Sequence, residues 1–166
     1  MKAITLTQPW ATLVAIGAKH IETRGWSTHY RGPLAIHAAA GLGPVGGKLA
    51  LVDLCHREPF YDALQAAGIR RATSLPFGAI VAICELVDCV QIGADWTRPM
   101  PPPPLAKTIG RRLADGTPQL WDLTQQELAF GDYSPGRYAW LLADVKPLAE
   151  PIPAKGALGL WEWNEG

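Results

Sequence analysis

The chain has 166 residues, of which 48% are hydrophobic and 18% are charged, and its 15 basic residues balance its 15 acidic ones. This length suits one domain with a hydrophobic core and is too short for two domains of ordinary size. The formal charge of zero excludes the overall positive field of many nucleic-acid-binding proteins, and the lack of a long apolar run excludes a membrane-spanning segment.

The charges are unevenly distributed along the chain. Residues 1–37 carry a net charge of +3 and residues 98–112 a net charge of +4, while the two remaining segments are acidic. If the two basic segments meet in the folded protein, they form a positive surface that suits a nucleic acid. We therefore predict that Lys19, Arg24, Arg31 and parts of 98–112 form one continuous positive face, and that binding of a nucleic acid to it weakens as the salt concentration rises.

The three cysteines, Cys55, Cys84 and Cys89, are odd in number and lack C-x-x-C spacing. This arrangement argues against a disulfide framework and favours a reducing, cytoplasmic compartment. The N-terminus also lacks the apolar core of an export signal. We expect neither metal nor cofactor, because the cysteines suit no common zinc site and the chain has no P-loop or dinucleotide-binding glycine motif.

The first part of the chain predicts a strand, a helix and a strand. Residues 3–7 suit a short strand, and Pro9 stands at the first position of a helix whose apolar residues recur with helical spacing. Gly17 is placed to end this helix. Residues 34–39 form the second strand, after a turn.

The segment 19–26, between the helix and the second strand, concentrates charged side chains and looks extended. Side chains of an extended segment alternate between two faces. Alternation predicts two sets, with His20, Glu22 and Arg24 on one face and Lys19, Ile21 and Thr23 on the other.

Helices are expected over 48–57 and 59–67, after a glycine-rich loop. Residues 79–90 then predict a long strand, in which Glu85 is a carboxylate among apolar neighbours. The run of prolines in 98–112 predicts an exposed loop without regular structure.

Thr124 and Glu127 match a capping box, in which Thr124 caps a short helix and Glu127 reaches back to it. Strands over 137–145 and within 151–163 close the chain. The order of elements predicts an α+β fold, a mostly antiparallel β-barrel with an early helix and helical insertions, rather than an alternating α/β sheet.

The segment 17–24 reads G-x-K-x-x-E-x-R. This pattern resembles the signature of the ASCH (activating signal cointegrator homology) domain, a family of the PUA-like superfamily of RNA-binding and RNA-modification modules. The resemblance covers roughly 1–40, 75–90 and 127–163. It implies a single PUA-like domain over 1–166, with a helical insertion at about 41–74 and a proline-rich loop at about 98–112.

The resemblance also implies a cleft between the first helix and the barrel, lined by the signature. The charged residues of the signature would line this cleft, with aromatic and basic residues beside it. Lysine or arginine would contact phosphate, glutamate would accept from an exocyclic amine, and an aromatic ring would stack on a base. The expected binding residues are Lys19, Glu22, Arg24, Trp26, Tyr30 and Arg31.

Two activities follow from the resemblance, and both stay open at this stage. The first is binding of RNA, other single-stranded nucleic acid or a nucleotide, without chemistry and as a monomer. The second is hydrolysis, either of a modified nucleoside such as N4-acetylcytidine or of RNA. Lys19 would then activate Glu22, Thr23 or a water, and Glu85 would carry the proton. Relatives that cleave N4-acetylcytidine have threonine three residues after the lysine, where this chain has Glu22.

The exposure of Lys19 distinguishes the two activities. A lysine that only contacts phosphate on a binding surface should be exposed to solvent, whereas a catalytic base should be buried in the cleft. A purely structural role is also open for the neighbouring charges, since Glu22 and Arg24 share a strand face and can form an ion pair.

Overall fold

A computed structural model describes residues 1–93 and 108–164. Within these ranges the chain forms eight strands and four α-helices, so the predicted α+β class is confirmed. The strands are β1 (Lys2–Leu6), β2 (Ile21–Arg24), β3 (Gly32–Ala38), β4 (Ala79–Gln91), β5 (Thr108–Arg112), β6 (Pro118–Asp122), β7 (Tyr138–Pro153) and β8 (Leu160–Glu162). The helices are α1 (Trp10–Ala15), α2 (Lys48–Cys55), α3 (Phe60–Ala66) and α4 (Gln125–Phe130).

The chain divides into two compact units. The first unit comprises Met1–Lys19, Gly32–Glu85 and Ala143–Gly166, and the second comprises His20–Arg31 and Leu86–Leu142. Strands β4 and β7 each contribute residues to both units.

None of the helices in the described ranges is long and apolar enough to cross a bilayer.

The first unit is built on β1, which lies between two partners. Strand β3 pairs with β1 in parallel and β8 pairs with it in the antiparallel sense. Strand β1 buries the consecutive residues Ala3 and Ile4, which point to opposite faces of the sheet, and also Leu6. Ala3 joins Trp163 and other buried side chains in one apolar cluster.

Helix α1 begins at Trp10, one residue later than expected, because Pro9 occupies the N-cap position. Gly17 ends the helix as predicted, since its φ of +73° is the left-handed conformation that glycine adopts without steric cost. The amides of Ala18 and Lys19 then donate to the carbonyl of Leu13, at 2.9 and 3.0 Å. The helix end therefore holds the backbone at Lys19 in place.

His37, on β3 in the first unit, is a buried histidine with polar partners. Its Nε2 lies 3.0 Å from the carbonyl of Ala154, and its Nδ1 lies 3.2 Å from the hydroxyl of Thr5. Gly156 leaves room for the ring, because a Cβ at this position would overlap it. Burial lowers the pKa of His37 below its usual range, although the Ala154 carbonyl opposes the shift.

This lowered pKa predicts a loss of stability in mild acid. The unfolded chain takes up a proton at His37 near pH 6.5, whereas the folded chain takes it up only at lower pH, so stability present above about pH 6.5 is lost as the pH falls. Urea unfolding at about pH 7.5 and about pH 5.5 should show this loss in the wild type and a smaller loss in His37→Gln. The control is the same substitution at an exposed histidine, His29→Gln. A pH dependence of stability that is the same in His37→Gln as in the wild type contradicts the prediction.

The second unit contains β2, the hairpin of β5 and β6, and parts of the neighbouring strands β4 and β7. Strand β2 pairs with the beginning of β7, so that Ile21 faces Leu141 and Glu22 faces Trp140 across the ladder. Strands β5 and β6 form an antiparallel hairpin. The core of this unit is one apolar cluster of buried residues, namely Ile21, Val90, Ile92, Ile109, Leu123, Ala139 and Leu141.

Two expectations about the second half of the chain are corrected. Residues 108–112 form β5 instead of belonging to a proline-rich loop, because Ile109 is buried in the apolar cluster and the strand pairs with β6. The proline run itself lies outside the described residues. Strand β7 continues to Pro153, past the expected end at residue 145, so the closing strand β8 is shorter than expected.

Candidate functional site

The candidate site of the second unit is centred on β2 and the residues that follow it. The burial pattern of β2 alternates as the sequence predicted, with Ile21 and Thr23 buried and Glu22 and Arg24 half-buried. The Nε of Arg24 lies 3.0 Å from Oε1 of Glu22. The two side chains thus form an ion pair on the half-buried face of the strand, as alternation allowed.

Thr23 points to the covered face of β2 and is held by its neighbours. Its hydroxyl oxygen accepts from the amide of Asp132 at 3.1 Å, and its carbonyl accepts from Nη2 of Arg137 at 3.2 Å. Gly131 permits this close approach, because a Cβ there would crowd both Thr23 and Tyr133. Thr23 therefore anchors the backbone of β2.

Trp26 follows β2 and rests against Trp140. The two rings meet edge to face with centroids 4.7 Å apart, and the indole N–H of Trp140 donates to the carbonyl of Trp26 at 3.3 Å. Trp140 is fully buried, whereas Trp26 is 37% exposed. A buried indole thus fixes a ring that remains accessible to solvent, which is what a stacking surface for a base requires.

Arg31 and Tyr30 close the segment. Arg31 donates through Nη1 to the carbonyls of Thr28 and Tyr30, at 3.0 and 2.8 Å, and through Nη2 to Oδ1 of Asp88 at 2.9 Å. The amide of Tyr30 donates to the hydroxyl of Thr28 at 3.1 Å. These local bonds determine the course of the backbone between β2 and the end of the segment.

Glu127 is a buried carboxylate of the second unit that sequence reasoning placed wrongly. Thr124 caps α4 as predicted, since its hydroxyl accepts from the amide of Glu127 at 3.0 Å. The carboxylate of Glu127 does not return to Thr124, however, and its Oε1 instead accepts from the amide of His20. Helix α4 is therefore linked to the backbone of His20, within the charged segment 19–26.

Tyr133 lies beside this carboxylate, with its hydroxyl 3.5 Å from Oε2 of Glu127. Burial raises the pKa of Tyr133, and the charges of Glu127 and Glu22 raise it further. Its hydroxyl therefore stays protonated at neutral pH and acts as a donor. Tyr133 follows the turn after α4, and no local pattern in the sequence marked it.

Lys19 and Glu85 belong to the first unit. Lys19 is only 1% exposed, although it follows the end of α1 and lies in the charged segment 19–26. Glu85 is half-buried on β4. The burial of Lys19 removes its charge from any exposed positive surface and meets the condition that a catalytic base would have to satisfy.

The cysteines are unsuited to nucleophilic chemistry. All three are free, and burial raises the pKa of each thiol, to about 12 for Cys84. Their thiolate forms are therefore scarce at neutral pH. Among residues 1–93 and 108–164, no three His, Cys, Asp or Glu side chains are grouped so that they could hold a metal ion.

A cavity of about 530 Å³ lies in the first unit, within the helical insertion. Its lining is mostly apolar and comes from α2, from the residues just before it and from residues 72–77, with Lys48 as the charged member. One lysine among aliphatic and aromatic side chains provides neither a nucleophile nor an acid–base pair. The cavity therefore offers no chemistry comparable with that of the charged segment.

Comparison with known proteins agrees with the signature. Activating signal cointegrator 1 of Mus musculus is 30% identical over 87 residues, and the human protein of the same name is 29% identical over 87 residues. The match covers 52% of this chain but only 14% of the length of either relative. The model of the ASCH domain family matches residues 4–151. The chain therefore belongs to the ASCH domain family.

Proposed function

We propose that this protein binds single-stranded RNA or a nucleotide through the segment 20–31 of its second unit. Membership of the ASCH family supports an RNA-binding role in general terms. The observation that carries the proposal is Trp26, whose accessible ring is fixed edge to face against the buried Trp140. A fixed aromatic ring stacks on any base, because every base has a π face.

The ion pair of Glu22 and Arg24 supports recognition beside this ring. Glu22 is an acceptor for an exocyclic amine, and Arg24 is a donor for a carbonyl or phosphate oxygen. The pair lies on the face of β2 opposite the buried Ile21 and Thr23, and its side chains are 13% exposed for Glu22 and 25% exposed for Arg24. Tyr30 and Arg31 extend the same segment with a further aromatic ring and a further positive charge.

A second function, hydrolysis, is favoured by one observation, the burial of Lys19. A lysine that serves only as a hydrated charge for phosphate does not need to be buried, whereas general-base lysines are buried ones. In the reaction with N4-acetylcytidine, water would attack the acetyl carbonyl and the bond to N4 would break. The water protons would pass to the leaving amine and to solvent, giving cytidine and acetate. Glu85, which belongs to the same unit, remains the proposed proton carrier for Lys19.

One experiment separates binding from hydrolysis. The full chain is mixed with an end-labelled single-stranded RNA, and separately with N4-acetylcytidine. A rise in fluorescence anisotropy with intact RNA supports binding, release of acetate supports amide hydrolysis, and shortened RNA supports a ribonuclease. No rise in anisotropy, no release of acetate and no shortening of the RNA would together contradict both proposed functions.

Trp26→Ala tests the stacking ring directly. We expect RNA affinity to fall at least about fivefold, because the stacking of one base on an aromatic ring contributes about 1–3 kcal/mol. Tyr61→Ala is the matched control, since Tyr61 is a similarly exposed aromatic residue of the first unit. Equal affinities of Trp26→Ala and wild type, measured by anisotropy, would remove Trp26 from the interface.

A further inference from the structure

The hairpin of β5 and β6 in the second unit brings a second arginine to Asp88. Oδ1 of Asp88 accepts from Nη2 of Arg31 and from Nη1 of Arg111, both at 2.9 Å. Oδ2 of Asp88 lies 2.8 Å from Nη2 of Arg111. Two permanent positive charges share one negative charge, so this two-arginine cluster of Arg31, Asp88 and Arg111 keeps a net charge of +1.

Both guanidinium groups are held in fixed orientations. Nε of Arg111 donates to Oε1 of Gln119 at 3.0 Å, and its guanidinium lies 5.9 Å from the ring centre of Trp121. Arg31 is held by the carbonyls of Thr28 and Tyr30. Side chains that are already ordered lose little entropy when a ligand binds, so the cluster is prepared for an anion.

The cluster turns its positive groups, not its carboxylate, toward solvent. The side chains of Arg31 and Arg111 are 37% and 42% exposed, whereas that of Asp88 is 11% exposed. Asp88 also accepts from the amide of Cys89, at 2.8 Å, so its oxygens are well supplied with donors. The three bonds of Arg111 to Asp88 and Gln119 use three of its five N–H donors and leave two for a ligand, among the described residues.

We propose that the two-arginine cluster is a clamp for a backbone phosphate of single-stranded RNA, which extends the interface onto the hairpin. The proposal rests on the RNA-binding function proposed above. Guanidinium groups form charge-assisted, bidentate bonds with phosphate oxygens, and such contacts position a nucleic acid without reading its sequence. The clamp would place the backbone while Trp26 holds a base.

Two charge-matched variants test the clamp in the full chain. Arg111→Gln should weaken binding of an end-labelled single-stranded RNA about tenfold and lower the slope of log affinity against log salt by about 0.7, the loss of one phosphate contact. Arg112→Gln removes the same charge from the next residue of β5, which points to the opposite face and donates to the carbonyl of Gly116. Equal losses in both variants would mean a general effect of charge and overturn the clamp.

Asp88→Asn distinguishes a prepared clamp from simple attraction. The substitution removes one negative charge from the protein and turns one carboxylate oxygen into an amide donor. The charge-assisted bonds that orient both arginines are then weakened or lost, so we expect weaker RNA binding. Tighter binding would overturn the clamp. If Asp88→Asn does not fold, as shown by far-ultraviolet circular dichroism, the comparison of Arg111→Gln with Arg112→Gln decides.

Three further outcomes complete the test. Displacement of the RNA by inorganic phosphate at an equal concentration of phosphate groups would identify a site for a free anion and overturn the clamp. Wild-type protein that binds no RNA would overturn the clamp together with the proposed function. Wild-type protein that binds RNA, with Arg111→Gln unaffected, would overturn the clamp alone.

Discussion

Replacing Trp140 with alanine will lower the free energy of unfolding by about 3–5 kcal/mol, the usual cost of removing a fully buried large aromatic side chain. Trp140 is 0% exposed and its indole N–H donates to the carbonyl of Trp26. Removal leaves a cavity in the second unit and deprives that carbonyl of its donor. Trp26 then loses the ring against which it is fixed, so RNA affinity should fall as well.

Trp140→Phe is the control for this prediction. Phenylalanine keeps most of the apolar volume but cannot donate to the carbonyl of Trp26, so we expect a smaller loss of about 1–2 kcal/mol. Urea unfolding should be followed by far-ultraviolet circular dichroism, because tryptophan fluorescence changes with the substitution itself. A loss below about 1 kcal/mol in Trp140→Ala would contradict the role of Trp140 as the main support of Trp26.

Replacing Lys19 with arginine will abolish the release of acetate from N4-acetylcytidine, if the buried lysine is the base of the second proposed function. A general base contributes about 10²–10⁴-fold to the rate, and a guanidinium group cannot give up its proton at neutral pH. Arginine is also larger than lysine, and Lys19 is only 1% exposed. We therefore expect a concurrent loss of about 1–3 kcal/mol in stability through overpacking.

Lys146→Arg serves as the control, because Lys146 is exposed on β7 and should tolerate the exchange in both assays. Acetate release by Lys19→Arg at the wild-type rate would exclude Lys19 as the base. Wild-type protein that releases no acetate would contradict the hydrolase itself. Unchanged stability of Lys19→Arg would show that the site of Lys19 can expand without cost.

Local features of the fold were predicted where the physical cause is local. Gly17 ends α1 because a left-handed residue is needed at that point, and Thr124 caps α4 because its hydroxyl reaches an amide three residues ahead. The alternation along β2 likewise separated Ile21 and Thr23 from Glu22 and Arg24. These features depend on backbone geometry within a few residues, which the sequence specifies directly.

The hairpin of β5 and β6 shows where the local signal was missed. The Asp115–Gly116 pair is a recognised hairpin turn, and Gly116 adopts a φ of +85°. The preceding prolines favoured a loop for residues 108–112 as well, although isoleucine is common in strands and Ile109 packs into the core. The sequence therefore contained the turn signal of the hairpin, but the proline content of the preceding segment led to the loop prediction.

The partners of the charged side chains were decided by tertiary structure. Glu127 fits a capping box on sequence, but its carboxylate accepts from the amide of His20, more than one hundred residues away in the chain. Arg31 and Arg111 meet only because Asp88 lies between them in the fold. A side chain with several possible partners takes the one that folding brings within hydrogen-bond distance.

The sequence by itself determined the family signature, the end of α1 at Gly17, the cap of α4 at Thr124 and the two faces of β2, because each depends on residue identity and short-range spacing. Only the tertiary structure decided that Lys19 is buried, that Trp26 rests on Trp140 and that two arginines share Asp88. Burial and long-range pairing arise from packing between segments distant in the chain, and local spacing does not encode which distant segment will pack there.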